Sequence, residues 1–493
     1  MIHPDSSMTL GADSLPGQFV MSKSQAAAPA GWPVHRNKDW YLASHPTLPV
    51  HDILASDGGV VGWLLGWPIF PNGSMAAEPW RLPPSVVAPD QFEAELYRLG
   101  GRLGAVFLSS QAQRFYLDAC GTLSAVFCPG LGVVASTLGL IPQSQADDWN
   151  EELIEAMGIP EKDNWFPFGL TPRRSVERLL PDFYLDLRNW KAMRYWPGGE
   201  LPVVEDIPAA VGEIASILNR TITAVAERHE LHMGLTAGRD TRMLLACARE
   251  HIRRIRFFTF AVPGPIGRLD VQVARRIARR FKLDHVILPV TAPTEDQVRQ
   301  WLFRTGHCLA GSWSLLSAYQ RLDPHRAVLL GVAGELGRGF HWRDGDDANS
   351  AIAAADLLAR RKTPQTPQTL QRARQWLEEL PVRNALTVWG LHYHEQFDGC
   401  WASPQLYGLQ RQGLFMYPFS HRRVVELMLS LPTEYRRQLR LENDMIASRW
   451  PELLELPFNW PLGISGYLYS INWRVQAIRK RLRGAIRTGG KPS

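Results

Sequence analysis

The amino-acid sequence predicts an α/β fold with a parallel sheet in the second half of the chain, preceded by a region of short strands. Apolar runs at residues 231–235, 255–262, 285–290 and 327–331 are typical of buried strands. A segment with helical spacing of apolar residues, 270–281, lies between the second and third runs. Strands that alternate with helices of this length form a parallel sheet. Ligands of such sheets bind at the carboxyl ends of the strands.

The turn after the first strand has the chemistry of a phosphate-binding loop. It consists of Thr236, Ala237, Gly238, Arg239, Asp240 and Thr241, and a helix follows. Small residues let backbone N–H groups approach phosphate oxygens, and the N-terminal end of the helix adds positive potential. Thr236 and Thr241 can donate hydroxyl hydrogen bonds, and Asp240 is a hard oxygen ligand of the kind that Mg²⁺ prefers. The alternative is a strand-to-helix turn with an Asp cap that serves packing alone.

A second glycine-rich turn follows the fourth strand, at residues 331–339. It carries one carboxylate, Glu335, and one guanidinium, Arg338. Because both turns follow parallel strands, we expect them to open on the same edge of the sheet. Arg338 is suited to hold pyrophosphate directly, since its planar fork binds phosphate well. The alternative is that Glu335 and Arg338 form only an ion pair within the turn.

The N-terminal half has a different pattern, with short strands separated by turn residues. Residues 101–108, 115–123 and 132–136 have this pattern, and residues 58–70 are interpreted as a further strand with its turn. We therefore expect a region rich in strands ahead of the parallel sheet.

These features together resemble the asparagine synthetase superfamily. Its Ser-Gly-Gly-x-Asp-Ser loop corresponds to residues 236–241, which read Thr-Ala-Gly-Arg-Asp-Thr. Residues 258–262 resemble the strand whose backbone holds adenine, and the segment from Leu330 to the Glu335 turn resembles the second nucleotide loop. Residues 417–432 resemble the entry to the C-terminal helices. The similarity spans about residues 200–465.

The N-terminal strands are similar to the sandwich of a class II glutamine amidotransferase domain, and residues 178–185 resemble the linker hairpin after it. The resemblance therefore implies a degenerate Ntn-type αββα sandwich, followed by an α/β parallel-sheet synthetase domain of the adenine nucleotide α-hydrolase-like type with a helical C-terminal part. We expect four segments: a flexible tail at 1–30, a degenerate glutamine amidotransferase-like domain at 31–200, an ATP-binding domain at 201–472 and a basic tail at 473–493.

The chain departs from the family pattern in its cysteines. Active glutaminase domains of this kind use a cysteine at the mature N-terminus as the nucleophile. The five cysteines here lie deep in the sequence, at Cys120, Cys128, Cys247, Cys308 and Cys400. Glutamine hydrolysis is therefore not expected, and the amine would come as free ammonia or as part of another substrate.

The second nucleotide loop also departs from the pattern. Val332 and Gly334 occupy places where the family has acidic residues, so Glu335 is the carboxylate that remains. The segment 456–463 contains no lysine to match the family's late catalytic Lys. These departures affect the amide-forming step more than ATP binding.

The resemblance implies an AMP-forming carbon–nitrogen ligase. A substrate carboxylate would attack the α-phosphate of Mg-ATP to give an acyl adenylate and pyrophosphate, and an amine would then displace AMP. The implied catalytic residues are Asp240, Glu335 and Arg338, of which Asp240 and Glu335 are the implied Mg²⁺ ligands. The implied ATP-binding residues are Leu235, Thr236, Ala237, Gly238, Asp240, Thr241, Val262, Leu330 and Gly331.

β-Lactam synthetases and lasso peptide cyclases are the closer family models, because ammonia from glutamine is not expected. The expected substrate is a small-molecule or peptide carboxylate, and a homodimer is compatible with the sequence. The alternative function is a non-catalytic, asparagine synthetase-like scaffold in a biosynthetic assembly. The departures at the second loop favour the scaffold, whereas the intact Asp240 turn opposes it.

The formal charge of +6 is concentrated at the C-terminus. Residues 473–493 contain seven basic and no acidic residues, so the rest of the chain has a formal charge of −1. Such a tail is suited to an acidic partner or a membrane surface, or it is simply a solvated terminal helix. The sequence otherwise contains no nucleic-acid module, secretory signal or membrane-spanning run, and cysteines without paired spacing fit a cytoplasmic protein.

A further candidate site contains His392 and His394. At strand spacing both imidazoles would lie on one side and could ligate a metal. If residues 387–401 form a helix instead, the two rings diverge. Glu395, Gln396 and Asp398 could line an acceptor pocket or cap a helix end.

Overall fold

The fold is taken from a computed structural model of the chain, which describes residues 14–25, 28–76, 78–142, 148–309, 311–409 and 413–459. The predicted basic tail at 473–493 lies outside these residues. None of the described helices is both long enough and apolar enough to cross a membrane.

The first half of the chain is dominated by strands. Its elements are β1 (Phe19–Ser22), β2 (Val34–Asn37), β3 (Trp40–Ser44), β4 (Val50–Leu54), β5 (Val60–Ile69), β6 (Trp80–Arg81), α1 (Pro89–Tyr97), β7 (Gly100–Leu108), β8 (Gln113–Leu117), β9 (Val126–Cys128), β10 (Val133–Ala135), α2 (Glu151–Met157), β11 (Glu177–Arg178), β12 (Phe183–Asp186) and β13 (Lys191–Arg194). The predicted strand at 58–70 corresponds to β5.

These strands form two sheets that pack against each other. The strand orders are β11-β9-β10-β1-β3-β2 and β13-β12-β8-β7-β5-β4-β6, and the pairs are antiparallel except for β4 with β6. Phe19 of the first sheet stacks on Phe115 of the second, with ring centroids 5.6 Å apart. On the outer face of the second sheet, Phe92 of α1 stacks on Phe107 at 4.5 Å. The pairing of apolar faces therefore buries both sides of β7, in the middle of the second sheet.

The prediction of a flexible tail over residues 1–30 is wrong for Phe19–Ser22. This segment is β1, which pairs with β3 on one side and β10 on the other. The apolar run Phe-Val-Met is short and is flanked by Ser-, Ala- and Pro-rich sequence, so it carries little strand signal by itself. Two neighbouring strands with buried faces supply the hydrogen bonds and apolar contacts that hold it.

The second half alternates strands with helices and then becomes helical. Its elements are α3 (Ile207–Ala226), β14 (Leu231–Gly234), α4 (Arg239–Cys247), β15 (Ile255–Ala261), α5 (Pro265–Phe281), β16 (His285–Pro289), α6 (Glu295–Thr305), α7 (Leu316–Tyr319), β17 (Ala327–Leu329), α8 (Ala354–Arg361), α9 (Pro367–Glu378), α10 (Ala385–Tyr393), a π-helix (His394–Ala402), α11 (Ser403–Leu409), β18 (Phe415–Met416), α12 (Arg422–Ser430), α13 (Thr433–Arg437) and α14 (Arg440–Arg449).

The prediction of a mixed α/β fold with a parallel sheet is confirmed. The sheet has the order β16-β15-β14-β17-β18, and its neighbouring strands are parallel. From β14 the chain moves outward through β15 and β16, and it returns to the other side of β14 with β17. The strand order therefore reverses between β14 and β17, and a crevice opens beyond the carboxyl ends of these two strands. The finer assignment to Ntn-type and synthetase folds stays a prediction.

Candidate functional site

The loops that follow β14 and β17 meet in the crevice between these strands. Asp240 lies in the first turn of α4, directly after the first loop. A Cβ atom at Gly334 would lie 2.6 Å from Asp240 Oδ1, and one at Gly331 would lie 3.4 Å from Asp240 Cβ. The loops can approach this closely because neither position has a side chain. The structure thus brings together the two glycine-rich turns that the sequence predicts to share one edge.

Arg338 is the centre of this site. Its Nη1 donates to Asp240 Oδ1 at 2.6 Å, and its Nη2 donates to Asp240 Oδ2 at 3.0 Å. The same guanidinium lies 3.4 Å from Glu335 Oε1. A bidentate pair of this kind is strong and fixes the orientation of both groups. The ion pair proposed within the turn therefore exists, but the main partner of Arg338 is Asp240.

Glu442 of α14 is a third carboxylate at Arg338, which sequence reasoning missed. Its Oε1 lies 3.3 Å from Arg338 Nη1, and its side chain is fully buried. The second oxygens of Glu335 and Glu442 are also buried and have no hydrogen-bond partner. Three carboxylates therefore converge on one guanidinium. The sequence does not single out Glu442, because α14 reads Arg-Leu-Glu-Asn-Asp-Met-Ile-Ala-Ser-Arg and places it in a polar stretch with Asn443 and Asp444.

Burial and mutual repulsion shift the pKa values of this cluster. Burial and the nearby Asp240 carboxylate raise the pKa of Glu335 well above its ordinary value. Burial also raises the pKa of Glu442. Burial disfavours the charged form of Arg338. The carboxylates of Asp240, Glu335 and Glu442 have the larger opposite effect, so the pKa of Arg338 is raised. Burial therefore favours the protonated forms of Glu335 and Glu442, and a cation bound beside them would favour the ionised forms.

The small-residue turn is held by hydrogen bonds within the protein. The Gly238 N–H donates to Thr236 Oγ1 at 3.0 Å, and the Thr236 and Thr241 hydroxyls are 2.9 Å apart. The Ala237 N–H donates to Asp270 Oδ1 of α5 at 2.9 Å. Two N–H groups that the sequence assigned to phosphate therefore have protein partners. The first N–H groups of α4 have no hydrogen-bond partner within the helix, and they lie at the end of α4 that is next to the crevice.

Leu235, Val262 and Leu330, which the resemblance implies as ATP-binding residues, lie along the same edge. Leu235 is fully buried, and its N–H donates to Phe258 O at 2.8 Å. Val262 follows β15 and is 41% exposed. The Leu330 N–H donates to Met416 O at 3.1 Å, which joins it to the sheet. Of these residues, Val262 is the most open to solvent, whereas the Leu235 and Leu330 backbones are used by the sheet.

A row of aromatic side chains leads away from the acidic cluster. Phe340, which follows the Arg338 turn, is 57% exposed and lies 5.4 Å from Tyr393. Tyr393 stacks on Phe397 at 4.9 Å, and Phe397 lies 4.5 Å from Trp401. The π-helix carries Phe397 and Trp401 on one side because they are four residues apart. This row forms an apolar wall beside the acidic cluster.

Arg361 lies at the far end of this wall and was not found from the sequence. Its guanidinium lies 3.6 Å from the centroid of the Trp165 ring, which also contacts Phe397. Arg361 Nε and Nη1 are buried without a hydrogen-bond partner. Burial lowers the pKa of Arg361 to about 9. A buried guanidinium with two nitrogens that lack hydrogen-bond partners is unusual in a protein interior.

His392 and His394 do not form a joint metal site. Residues 385–402 are helical, so the rings diverge as the alternative interpretation predicts. His392 Nδ1 lies 3.1 Å from His341 Nδ1, whereas His394 Nδ1 lies 3.4 Å from Asp398 Oδ2. Glu395 forms a bidentate pair with Arg194, so it does not line an acceptor pocket.

Neither protein-family models nor curated proteins match this chain.

Proposed function

We propose that this protein is an ATP-dependent ligase that adenylates a substrate carboxylate and transfers it to an amine. Pyrophosphate leaves in the first step and AMP in the second. The observation that carries the proposal is the meeting of two glycine-rich loops at the reversal of strand order, with Asp240, Glu335 and Glu442 around Arg338. Open α/β sheets bind their ligands in this crevice.

The residues present fit a magnesium ion. Asp240 and Glu335 are the expected ligands, and Glu442 supplies a third carboxylate in place of the acidic residues lacking at Val332 and Gly334. Two of their buried oxygens have no hydrogen-bond partner, and Mg²⁺ prefers carboxylate oxygens. When bound, the ion would neutralise charge on the triphosphate.

Arg338 is suited to move from carboxylate to phosphate. The two Nη atoms of the Arg338 guanidinium donate to both oxygens of Asp240, and the same planar geometry can bind two phosphate oxygens. With a cation at Asp240, Arg338 would be available to hold the pyrophosphate that leaves the α-phosphorus. A preorganised cation at this place stabilises the charge that develops in the transition state.

The aromatic row supplies a place for the acyl substrate. The row begins with Phe340 and Tyr393, next to the turn that carries Arg338. A small-molecule or peptide carboxylate with an apolar body could pack along the row, with its carboxylate towards the nucleotide. The proposal includes no glutaminase step, because all five cysteines are buried.

The second candidate function is a non-catalytic scaffold. Arg338 already pairs with Asp240, and the Ala237 and Gly238 N–H groups already have protein partners. A site whose donors already have partners within the protein has fewer groups free to bind a nucleotide. This geometry favours the scaffold, whereas the unpartnered oxygens of Glu335 and Glu442 favour a bound cation.

The test is Mg-ATP binding by titration calorimetry, together with carboxylate-dependent exchange of pyrophosphate into ATP. We expect wild type to bind ATP only with Mg²⁺ and Asp240→Ala to lose binding. Asp39→Ala, an exposed residue between β2 and β3, is the matched control and should bind as wild type does. Absence of binding in wild type would reject the ligase and favour the scaffold, and a fully active Asp240→Ala variant would reject the assigned site.

A further inference from the structure

A second cluster of metal-ligating side chains lies far from the nucleotide loops in sequence. Cys120 follows β8 in the strand-rich half, whereas His394 and Asp398 belong to the π-helix of the second half. All three side chains are fully buried. Their ligand atoms lie within 4.8 Å of one another. The cluster therefore joins the two halves of the chain at one point.

The imidazole of His394 lies between two carboxylates. Its Nδ1 is 3.4 Å from Asp398 Oδ2, and its Nε2 is 3.5 Å from Asp182 Oδ1. Asp398 Oδ1 and Asp182 Oδ2 are buried and have no hydrogen-bond partner. Oxygens in this situation normally find a donor or a cation. The cluster thus has unused ligand capacity in a place that water does not reach freely.

The cluster contains charged groups of both signs. Asp182 is paired with Arg422, and His394 lies within 3.5 Å of both Asp182 and Asp398. Zinc binds cysteine as the thiolate and histidine as the neutral imidazole, so binding would release the protons that these ligands carry without the ion.

We propose that Cys120, His394 and Asp398 bind one zinc ion. Sulfur, nitrogen and oxygen donors together suit zinc, whereas magnesium and calcium prefer oxygen donors only. His394 Nδ1 faces Asp398 and is the ligand atom. His394 Nε2 then faces Asp182 Oδ1 at 3.5 Å, on the side where a carboxylate commonly orients a metal-bound histidine.

The π-helix explains how two of these ligands come together. His394 and Asp398 are four residues apart in a segment with a wider turn than an α-helix. Such segments are rare and frequently mark functional sites. Ser403 Oγ, at the start of α11, lies 2.8 Å from the carbonyl oxygens of both Cys120 and Asp398 and shares its one proton between them. The backbone on both sides of the cluster is therefore fixed by one hydroxyl.

The experiment is a zinc titration of the full-length protein after removal of metal with a chelator. We expect one zinc per chain, with release of protons on binding, because zinc binds the deprotonated forms of its ligands. Co²⁺ in place of zinc should give thiolate-to-cobalt charge-transfer absorption. Cys120→Ser should abolish this absorption and weaken zinc binding at least 100-fold, while Cys247→Ser, a buried cysteine outside the cluster, should match wild type.

A second variant and a folding measurement keep the outcome unambiguous. Asp398→Asn retains the shape of the side chain and should also weaken zinc binding, and circular dichroism establishes that each variant is folded. If wild type binds no zinc, or if Cys120→Ser binds zinc as tightly as wild type, the proposal is rejected. The cluster would then be a buried ion-pair network with a protonated His394. The experiment does not involve ATP, so its result is independent of the proposed ligase activity.

Discussion

At the scale of single residues, Arg338 decides the state of the candidate nucleotide site. One guanidinium contacts Asp240, Glu335 and Glu442 and is itself only 15% exposed. Breaking a buried ion pair by removing one partner is costly, because the other charges stay buried without compensation. Arg338 is therefore required for stability while no other cation is bound.

Arg338→Ala should lower the free energy of unfolding by about 3 kcal/mol, because three carboxylates lose their shared partner. Mg²⁺ should restore part of this loss, since the ion can take the vacated place. At a tenfold excess over its Kd the ion would contribute about 1.4 kcal/mol. Urea unfolding with and without Mg²⁺ measures both effects.

The control for this experiment is Arg343→Ala, an exposed arginine a few residues further along the chain. It should change the free energy of unfolding little, with or without Mg²⁺. An Arg338→Ala variant that is destabilised but does not respond to Mg²⁺ would contradict a cation site at these carboxylates.

At the scale of elements, α12 begins with a histidine cap that requires a neutral ring. His421 Nδ1 accepts a hydrogen bond from the Arg423 N–H at 3.2 Å. A protonated Nδ1 cannot accept, so the cap exists only while His421 is uncharged. Burial, together with the positive charge of Arg220, lowers the pKa of His421 to about 4.

This cap predicts a loss of stability in mild acid. The unfolded chain takes up a proton at His421 near pH 6.5, whereas the folded protein does so only near pH 4, so stability falls as the pH falls through this window. His421 by itself should contribute on the order of 2 kcal/mol to the loss between pH 7 and pH 5. His421→Asn keeps an acceptor and should reduce the dependence on pH by the share of His421, measured by urea unfolding at each pH.

His325→Asn is the matched control, because His325 is exposed. It should leave the dependence on pH as in wild type. If His421→Asn and wild type lose stability equally on acidification, the cap is not the titrating group.

At the scale of the whole molecule, α12 ties the two halves of the chain together. Arg422 pairs with Asp182, which lies just before β12, and both side chains are nearly or fully buried. Next to it, Ser420 Oγ donates to Asp118 Oδ1 at 2.6 Å. Tyr97 of α1 donates to Glu426 at 2.8 Å. We expect the two halves to unfold together for this reason.

Arg422→Met should lower the free energy of unfolding by about 3 to 5 kcal/mol, because Asp182 would stay buried without its main partner. Arg361→Met is the matched control. Arg361 lacks an ion pair, and methionine retains its packing on Trp165, so this variant should be as stable as wild type or more so. Urea unfolding followed by tryptophan fluorescence and circular dichroism measures both variants. Equal destabilisation by the two changes would contradict this assignment.

The sequence alone determined those features that depend on neighbours along the chain. The period of apolar residues predicted the parallel sheet, and the small residues at 236–241 and 331–339 predicted two loops on one edge. These signals are local, because a strand, a tight turn and the helix after it are specified by consecutive residues. Asp240, Glu335 and Arg338 could be selected in this way.

Only the tertiary structure decided which side chains meet across the chain. Glu442 reaches Arg338 from a helix about 100 residues further on, and Asp270 takes the Ala237 N–H. Cys120 meets His394 and Asp398 across more than 270 residues. Phe19–Ser22 becomes a strand only because two partners flank it. The physical reason is the same in each case: a buried charge or strand edge is stabilised by partners that the topology brings together, and sequence spacing carries no signal of them.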